Sequence, residues 1–142
     1  MKILEILTPK RITGNFGEAA AARLLKKKGY KILERSYVHD GHEIDIIAES
    51  KDTVVFVEVK ARTVGFENPK EPRPASAVNA KKQQAIITAA RGYLPFCPKD
   101  KKKRFDIIEV YVSDDGRKKR VAEIKHLENC FTKSTAYKHT AR

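Results

Sequence analysis

Two short runs rich in Ile, Val and Phe, His42 to Glu49 and Thr53 to Ala61, constrain this chain most. A tight connection around Lys51-Asp52 joins them, so they read as the two strands of one hairpin. Each run carries charge where a core-facing pattern has no use for it. In His42-Glu43-Ile44-Asp45-Ile46-Ile47, strand alternation puts Glu43 and Asp45 on one face and Ile44 and Ile46 on the other. In Val54-Val55-Phe56-Val57-Glu58-Val59-Lys60, Glu58 and Lys60 share a face opposite Val57 and Val59. A hairpin symmetric about Lys51-Asp52 sets Asp45 across from Glu58 and Glu43 across from Lys60, whereas a one-residue slip would move Glu58 off that face.

Directly opposed side chains lie about 5 Å apart at Cβ. Two carboxylates at that distance repel each other, and in a partly buried setting each favours its protonated form. A divalent cation removes the conflict. One or two carboxylates, completed by waters and substrate phosphate, are what Mg²⁺ prefers. Lys60 would stand beside such an ion, where its ammonium could hold an attacking water and offset charge building on a phosphate. The plain alternative is a charged pattern on an exposed sheet face.

The charge balance supports a polyanionic partner. The 142 residues include 30 Lys and Arg against 18 Asp and Glu, a formal net charge of +12. Charged residues make up 34%, above the roughly 25% of an average domain. Hydrophobic residues still reach 41%, which excludes a fully disordered chain. The surplus is uneven. From Asp40 to Glu58 six acids face one lysine, which leaves that segment at −5 and the remainder at +17. Nucleic acid is therefore the expected partner, bound by the basic remainder.

Other function classes find no support. There is no apolar run long enough for a membrane span and no leader with a cleavage pattern. Cys97 and Cys130 stand apart with no CxxC spacing, which argues against zinc and suits a reducing cytoplasm.

Along the chain, residues 1–12 read as a leader, 13–131 as a single domain and 132–142 as a basic, flexible tail. Asn15-Phe16-Gly17-Glu18 resembles a capping box, with Asn15 as N-cap and Glu18 at N3 of a helix running to Lys28. Strands are expected over Tyr30 to Val38, the hairpin just described, Phe105 to Val112 and Val121 to Leu127. A second helix is expected over Ala77 to Leu94, preceded by a Pro-rich loop from Arg62 to Ala75. The order is α-β-β-β-α-β-β, a mixed sheet with helices packed on it. Lys81, Gln84, Thr88 and Arg91 form one polar stripe of the second helix, either a phosphate-contacting face or a solvated one. The tetrad Lys101, Lys102, Lys103 and Arg104, Arg62, Lys81 and Gln84 are the candidate nucleic-acid contacts. Tyr37, Phe66 and Tyr137 are available for base stacking. His42 is either a surface strand residue or an additional ligand.

Glu43-Ile44-Asp45 followed by Phe56-Val57-Glu58-Val59-Lys60 resembles the core of the PD-(D/E)XK restriction-endonuclease-like superfamily. More narrowly, the chain resembles the bacterial YraN family. The shared features are Gly17-Glu18-x-x-Ala21, Gly29-Tyr30-x-Ile32-Leu33, Phe56 to Lys60 with Arg62, Val78-Asn79 with Lys81, Arg104-Phe105-Asp106, and Ile124-x-His126-x-x-Asn129-x-Phe131. The resemblance implies a restriction-endonuclease-like α/β fold and a Mg²⁺ (or Mn²⁺) nuclease acting on DNA, branched or single-stranded, in repair or recombination. Asp45 and Glu58 would bind the metal, Lys60 would be the catalytic lysine, and Glu43 or Glu18 would tune the site. A homodimer is among the expected assemblies, since nucleases that cut two strands are commonly dimeric. The competing expectation is a non-catalytic nucleic-acid-binding protein that keeps the fold; a basic RNA-associated domain is a third. Three departures stand out: His42 takes the place of a usual Gly, Ser36 that of a usual Asn, and the Pro-rich loop is altered.

Overall fold

In a computed structural model describing residues 9–64 and 79–131, with side chains from residue 13 onward, the chain forms α1 (Pro9–Lys27), β1 (Lys31–His39), β2 (His42–Glu49), β3 (Thr53–Val64), α2 (Ala80–Tyr93), β4 (Lys102–Asp114) and β5 (Lys119–Phe131). The element order and the mixed α/β class are those expected. The strands lie in the order β1-β2-β3-β4-β5. β3 and β4 run parallel, whereas every other neighbouring pair is antiparallel. A parallel pair needs a long crossover, and α2 belongs to it. Much of the Pro-rich loop, including Phe66, and the tail with Tyr137 lie outside the described residues.

Local chemistry explains most boundaries. Asp40 and Gly41 both have positive φ, 54° and 77°, between the paired residues His39 and His42. That is the two-residue turn whose twist matches antiparallel strands. Asn79 caps α2, its side chain accepting from the Lys82 amide at 2.9 Å, and Pro95 follows the last helical residues. Asp114 and Asp115 catch the amides of Gly116, Arg117 and Lys118 to close the β4–β5 turn.

Several boundaries differ from expectation; the second helix starts at Ala80 and β5 spans Lys119–Phe131. The first helix starts at Pro9, so Asn15 and Glu18 lie inside it and form no capping box. Proline suits the first helical position because its missing N–H would have no partner there. β3 continues through Arg62 to Val64, and β4 already begins at Lys102, taking most of the basic tetrad into the strand. Pairing of these two strands, unbroken from Thr53↔Lys102 to Val64↔Ser113, overrides the local polar composition.

The sheet is covered on both faces. Ala20, Ala21, Ala22 and Leu25 of α1 pack on Val55, Val57, Ile108 and Val110. Ile86, Ile87, Ala89 and Ala90 of α2 pack on Ile47, Val54, Phe56 and Ile107. Alternation along β3 therefore carries Glu58 and Lys60 onto the α2 face. In β2 the alternation slips. Ile46 belongs to the α1 side, but Ile44 and Ile47 both belong to the α2 side. The expectation that Ile44 and Ile46 share a face is thus corrected: the strand is irregular at Asp45, beside Ser36 of β1 at φ 53°. Asn tolerates that left-handed conformation better than Ser.

Gly17 sets the closest approach of α1 to the sheet. A Cβ there would lie 2.6 Å from the Ala61 Cβ. A second fixed point is Asp106, fully buried on β4. Its carboxylate accepts from Arg104 Nε (2.8 Å) and Nη2 (2.9 Å), His126 Nε2 (2.7 Å) and the Asn129 amide (2.9 Å). Arg104 also donates to Tyr30 Oη at 2.7 Å, and Lys28 Nζ donates to His126 Nδ1 at 2.8 Å. An ammonium has no lone pair, so Nδ1 accepts and Nε2 carries the hydrogen given to Asp106. Burial pushes the Asp106 carboxyl up, but the bonds from His126, Arg104 and Asn129 outweigh it and hold it below its usual value.

Two outcomes are expected in denaturant titrations. Gly17→Ala, which in an ordinary helix interior would stabilise by about 0.5–1 kcal/mol, should here destabilise by about 1–3 kcal/mol, and Ala61→Gly should recover part of that loss. Asp106→Asn should cost about 1–3 kcal/mol at neutral pH by removing the buried charged acceptor shared by Arg104, His126 and the Asn129 amide. Because the folded carboxyl lies below its unfolded value of 3.8, its contribution is complete above that value and fades as pH falls through the folded one. The variant should lack that acid-side loss.

Candidate active site in the fork between β2 and β3

The β2–β3 ladder runs from Glu49↔Val54 to Ile46↔Val57, the register symmetric about Lys51-Asp52, and stops one step short of Asp45 and Glu58. There the side chain of Asp45 takes over from the backbone. Its Oδ2 accepts the Val59 amide at 2.7 Å, closing the fork that the strands open. An amide at that depth needs an acceptor, and the carboxylate supplies one.

Two acidic side chains, Glu58 and Glu18, act on Asp45 in the fork. Burial, followed by the hydrogen bond and the negative charge of Glu58, pushes the Asp45 carboxyl up to about 9; Glu18, reaching from α1, adds to the rise, and the Val59 amide opposes it. Asp45 therefore carries its proton at neutral pH, held in the hydrogen bond with Glu58. Glu58 itself is buried, 4% exposed, and two ammonium groups converge on its Oε2: Lys60 at 3.6 Å and Lys82 at 3.4 Å. A carboxyl with a displaced proton affinity, packed against a second carboxyl that two ammonium groups approach, marks a candidate chemical site.

The fork brings together Asp45, Glu58, Lys60 and Glu18. Glu43 is not with them. The slip at Asp45 turns His42 and Ile44 toward α2, which leaves Glu43 exposed on the opposite face, beside Val38 of β1. The expected Glu43–Lys60 pair does not form among the described residues. Gly17 explains the place of Glu18: the close seat of α1 on Ala61 brings the next residue to the rim of the fork.

Two residues of this neighbourhood escaped the sequence reading. Glu109, 1% exposed, pairs across from Lys60 in β4 and shares the α2 face with Ile107 and Tyr111, whose hydroxyl lies 3.4 Å from its Oε1. An acid inside the apolar run Phe105 to Val112 was the available signal. Lys82 had none, because only the docking of α2 directs it at Glu58.

The basic candidates divide. Lys81, Gln84 and Thr88 line an open cleft of about 480 Å³ with His42, Asn79 and Lys82. Arg62 is exposed near the end of β3, two residues beyond Lys60. The tetrad sits at the other end: Lys102, Lys103 and Arg104 pair with Thr53, Val54 and Val55. At about 3.3 Å per residue that is about 17–23 Å from Lys60. Lys101 Nζ is held by Glu49 (3.0 Å) and the Ser50 carbonyl (2.9 Å), and Lys103 Nζ by the carbonyls of Pro98 and Lys101.

No cluster of three or more His, Cys, Asp and Glu side chains able to hold a metal exists among the described residues. Asp45 and Glu58 form a two-carboxylate donor set, which fits Mg²⁺ with waters and phosphate oxygens as its remaining ligands. The proton now shared between them marks the charge conflict that a cation would relieve.

The model of the uncharacterised protein family UPF0102 matches residues 17–110, a span that holds every member of the fork. The chain belongs to UPF0102. This is the YraN family that the sequence pattern resembled. A UPF0102 protein of Acetivibrio thermocellus is 43% identical over 127 residues, covering 86% of this chain and 92% of its own. Another, of Caldanaerobacter subterraneus subsp. tengcongensis, is 44% identical over 124 residues, covering 86% and 96%. One of Chlorobium chlorochromatii is 46% identical over 99 residues, covering 70% and 74%. No helix among the described residues is long and apolar enough to cross a membrane.

In this UPF0102 chain Asp45→Asn should stabilise the metal-free protein by about 0.5–2 kcal/mol at slightly alkaline pH. The amide oxygen still accepts from Val59, and its NH₂ donates to Glu58 without titrating. For the wild type the raised carboxyl contributes stability in full below its unfolded value of 3.8, and that contribution is lost as pH climbs through about 9. Thermal unfolding across that range checks it: the variant's midpoint should fall less with pH, and added Mg²⁺ should raise the wild-type midpoint more than the variant's.

Proposed function

We propose that this protein is a divalent-cation-dependent phosphodiesterase acting on nucleic acid, with DNA favoured over RNA and Mg²⁺ or Mn²⁺ as the cation. The observation that carries the reading is the Asp45–Glu58 pair, two carboxyl groups forced into one half-buried fork with two lysines converging on Glu58. A purely binding surface gains nothing from carboxylates that face phosphate.

Asp45 and Glu58 would hold the cation, which when bound supplies Lewis-acid stabilisation and a more acidic water. The remaining work falls to the chain's own groups. Lys60, 3.6 Å from Glu58 Oε2, is placed to donate to the attacking water or a phosphate oxygen. The Val59 amide holds one oxygen of Asp45, which leaves the other to serve the cation. Glu18 adds negative charge at the rim and strengthens the preference for a dication. Glu109 lies beside Lys60 on the next strand and places a second acid next to the lysine.

The test is cleavage of linear, single-stranded and branched DNA by the full chain with Mg²⁺, with Mn²⁺ and with chelator. Cleavage should require the metal. Glu58→Ala and Lys60→Ala should each reduce it about 100-fold or more. Binding without cleavage of any of these substrates would favour the non-catalytic alternative, and undiminished cleavage by Glu58→Ala would remove Asp45–Glu58 as the site.

A further inference from the structure

The structure sorts the chain's cations by what already holds them. Lys101, Lys103 and Arg104 are bonded into the fold. The side chains of Lys81 and His42 make no hydrogen bond or ion pair among the described residues. Among the described residues the Lys82 ammonium reaches only Glu58, at 3.4 Å, longer than the 2.7–2.9 Å of a tight charge-assisted bond. These three side chains line one cleft of about 480 Å³, between the start of β2 and the first two turns of α2.

The lining is chemically one-sided. Besides the two lysines and the histidine, its described lining residues are Asn79, Gln84, Ala85 and Thr88, with no acid among these described residues. The Asn79 carbonyl oxygen is already committed to the Lys82 amide. The first turn of α2 carries no acid of its own, so the positive end of the helix dipole adds to the cationic character of the cleft. Such a cleft takes an anion. Its volume falls within the roughly 300–1,000 Å³ of small-ligand pockets, enough for part of one strand but not for a duplex.

Lys82 joins this cleft to the fork, since its ammonium belongs to the lining of one and the ion pair of the other. The geometry points to the cleft as the seat of a strand phosphodiester flanking the one that reacts, gripped by Lys81 and Lys82 and bounded by His42; this assignment rests on the phosphodiesterase reading above. With no strand bound, Lys82 neutralises Glu58. When a strand enters, its ammonium turns to the phosphate and leaves Glu58 to the cation. Lys82 is thus a positioning residue that links occupancy of the cleft to readiness of the carboxylate pair.

The test is the salt dependence of binding of a fluorescein-labelled oligothymidylate to the full chain in EDTA, read by anisotropy. Each phosphate contact to a single strand contributes about 0.7 to the slope of log K against log[salt]. Lys81→Gln/Lys82→Gln should lower the slope by about 1.4. Lys82→Arg should keep it, and so should Lys102→Gln at the far end of the sheet. Matching thermal midpoints for all variants would confirm that each folds. An unchanged slope in the double variant, or an equal drop in Lys102→Gln, overturns the assignment. EDTA prevents cleavage, so the two readings fail separately. A protein that loses slope but never cuts DNA retains the cleft and loses the phosphodiesterase reading; one that cuts DNA with an unchanged slope loses only the cleft.

Discussion

The Asp45 carboxylate in the mouth of the β2–β3 fork is the interaction on which the site depends. It does in the sheet what a backbone carbonyl would otherwise do, accepting the Val59 amide where the ladder has stopped. That substitution lets two antiparallel strands part without exposing an unpaired amide. The same carboxylate then lies against Glu58, and its proton is the cost of that contact in the absence of a cation. One side chain thus shapes the backbone and creates the electrostatic demand that a metal would meet.

Two devices elsewhere hold the fork in place. Gly17 lets α1 settle on Ala61 more closely than any other residue would allow, and this brings Glu18 to the rim. On the opposite side of the sheet's centre, Asp106 ties Arg104 of β4 to His126 and Asn129 of β5, while Arg104 reaches Tyr30 in the link between α1 and β1. Tyr30, Arg104, Asp106, His126 and Asn129 all belong to the motifs shared with the YraN family, and their bonds make them an architectural group. Polar residues in a family pattern need not be catalytic; a buried acid with four donors stabilises a strand pair.

The charge distribution takes on a spatial meaning. A basic run that looks like a nucleic-acid contact in sequence is largely spent on internal carbonyls and carboxylates at the far end of β3 and β4. Lysines on α2, less conspicuous in the chain, line the cleft next to the carboxylates. Proximity to the fork, not density along the sequence, separates the two groups.

The sequence by itself determined the element order, the hairpin register and the membership of Asp45, Glu58 and Lys60 in one neighbourhood, because all of these follow from short-range alternation and a tight turn. It misjudged what depends on a local break of that alternation: Glu43, Ile44 and Ile46 were assigned faces that the slip at Asp45 reverses in part. It also mistook an Asn-x-x-Glu pattern for a helix start, since a capping box is read from four residues and Pro9 lies outside them. Only the tertiary structure decided which helix residues reach the fork. Lys82 and Glu109 come from segments far from the hairpin in sequence, brought there by the crossover through α2 and by β3–β4 pairing. Such contacts are set by packing of whole elements, a global balance that no local pattern encodes.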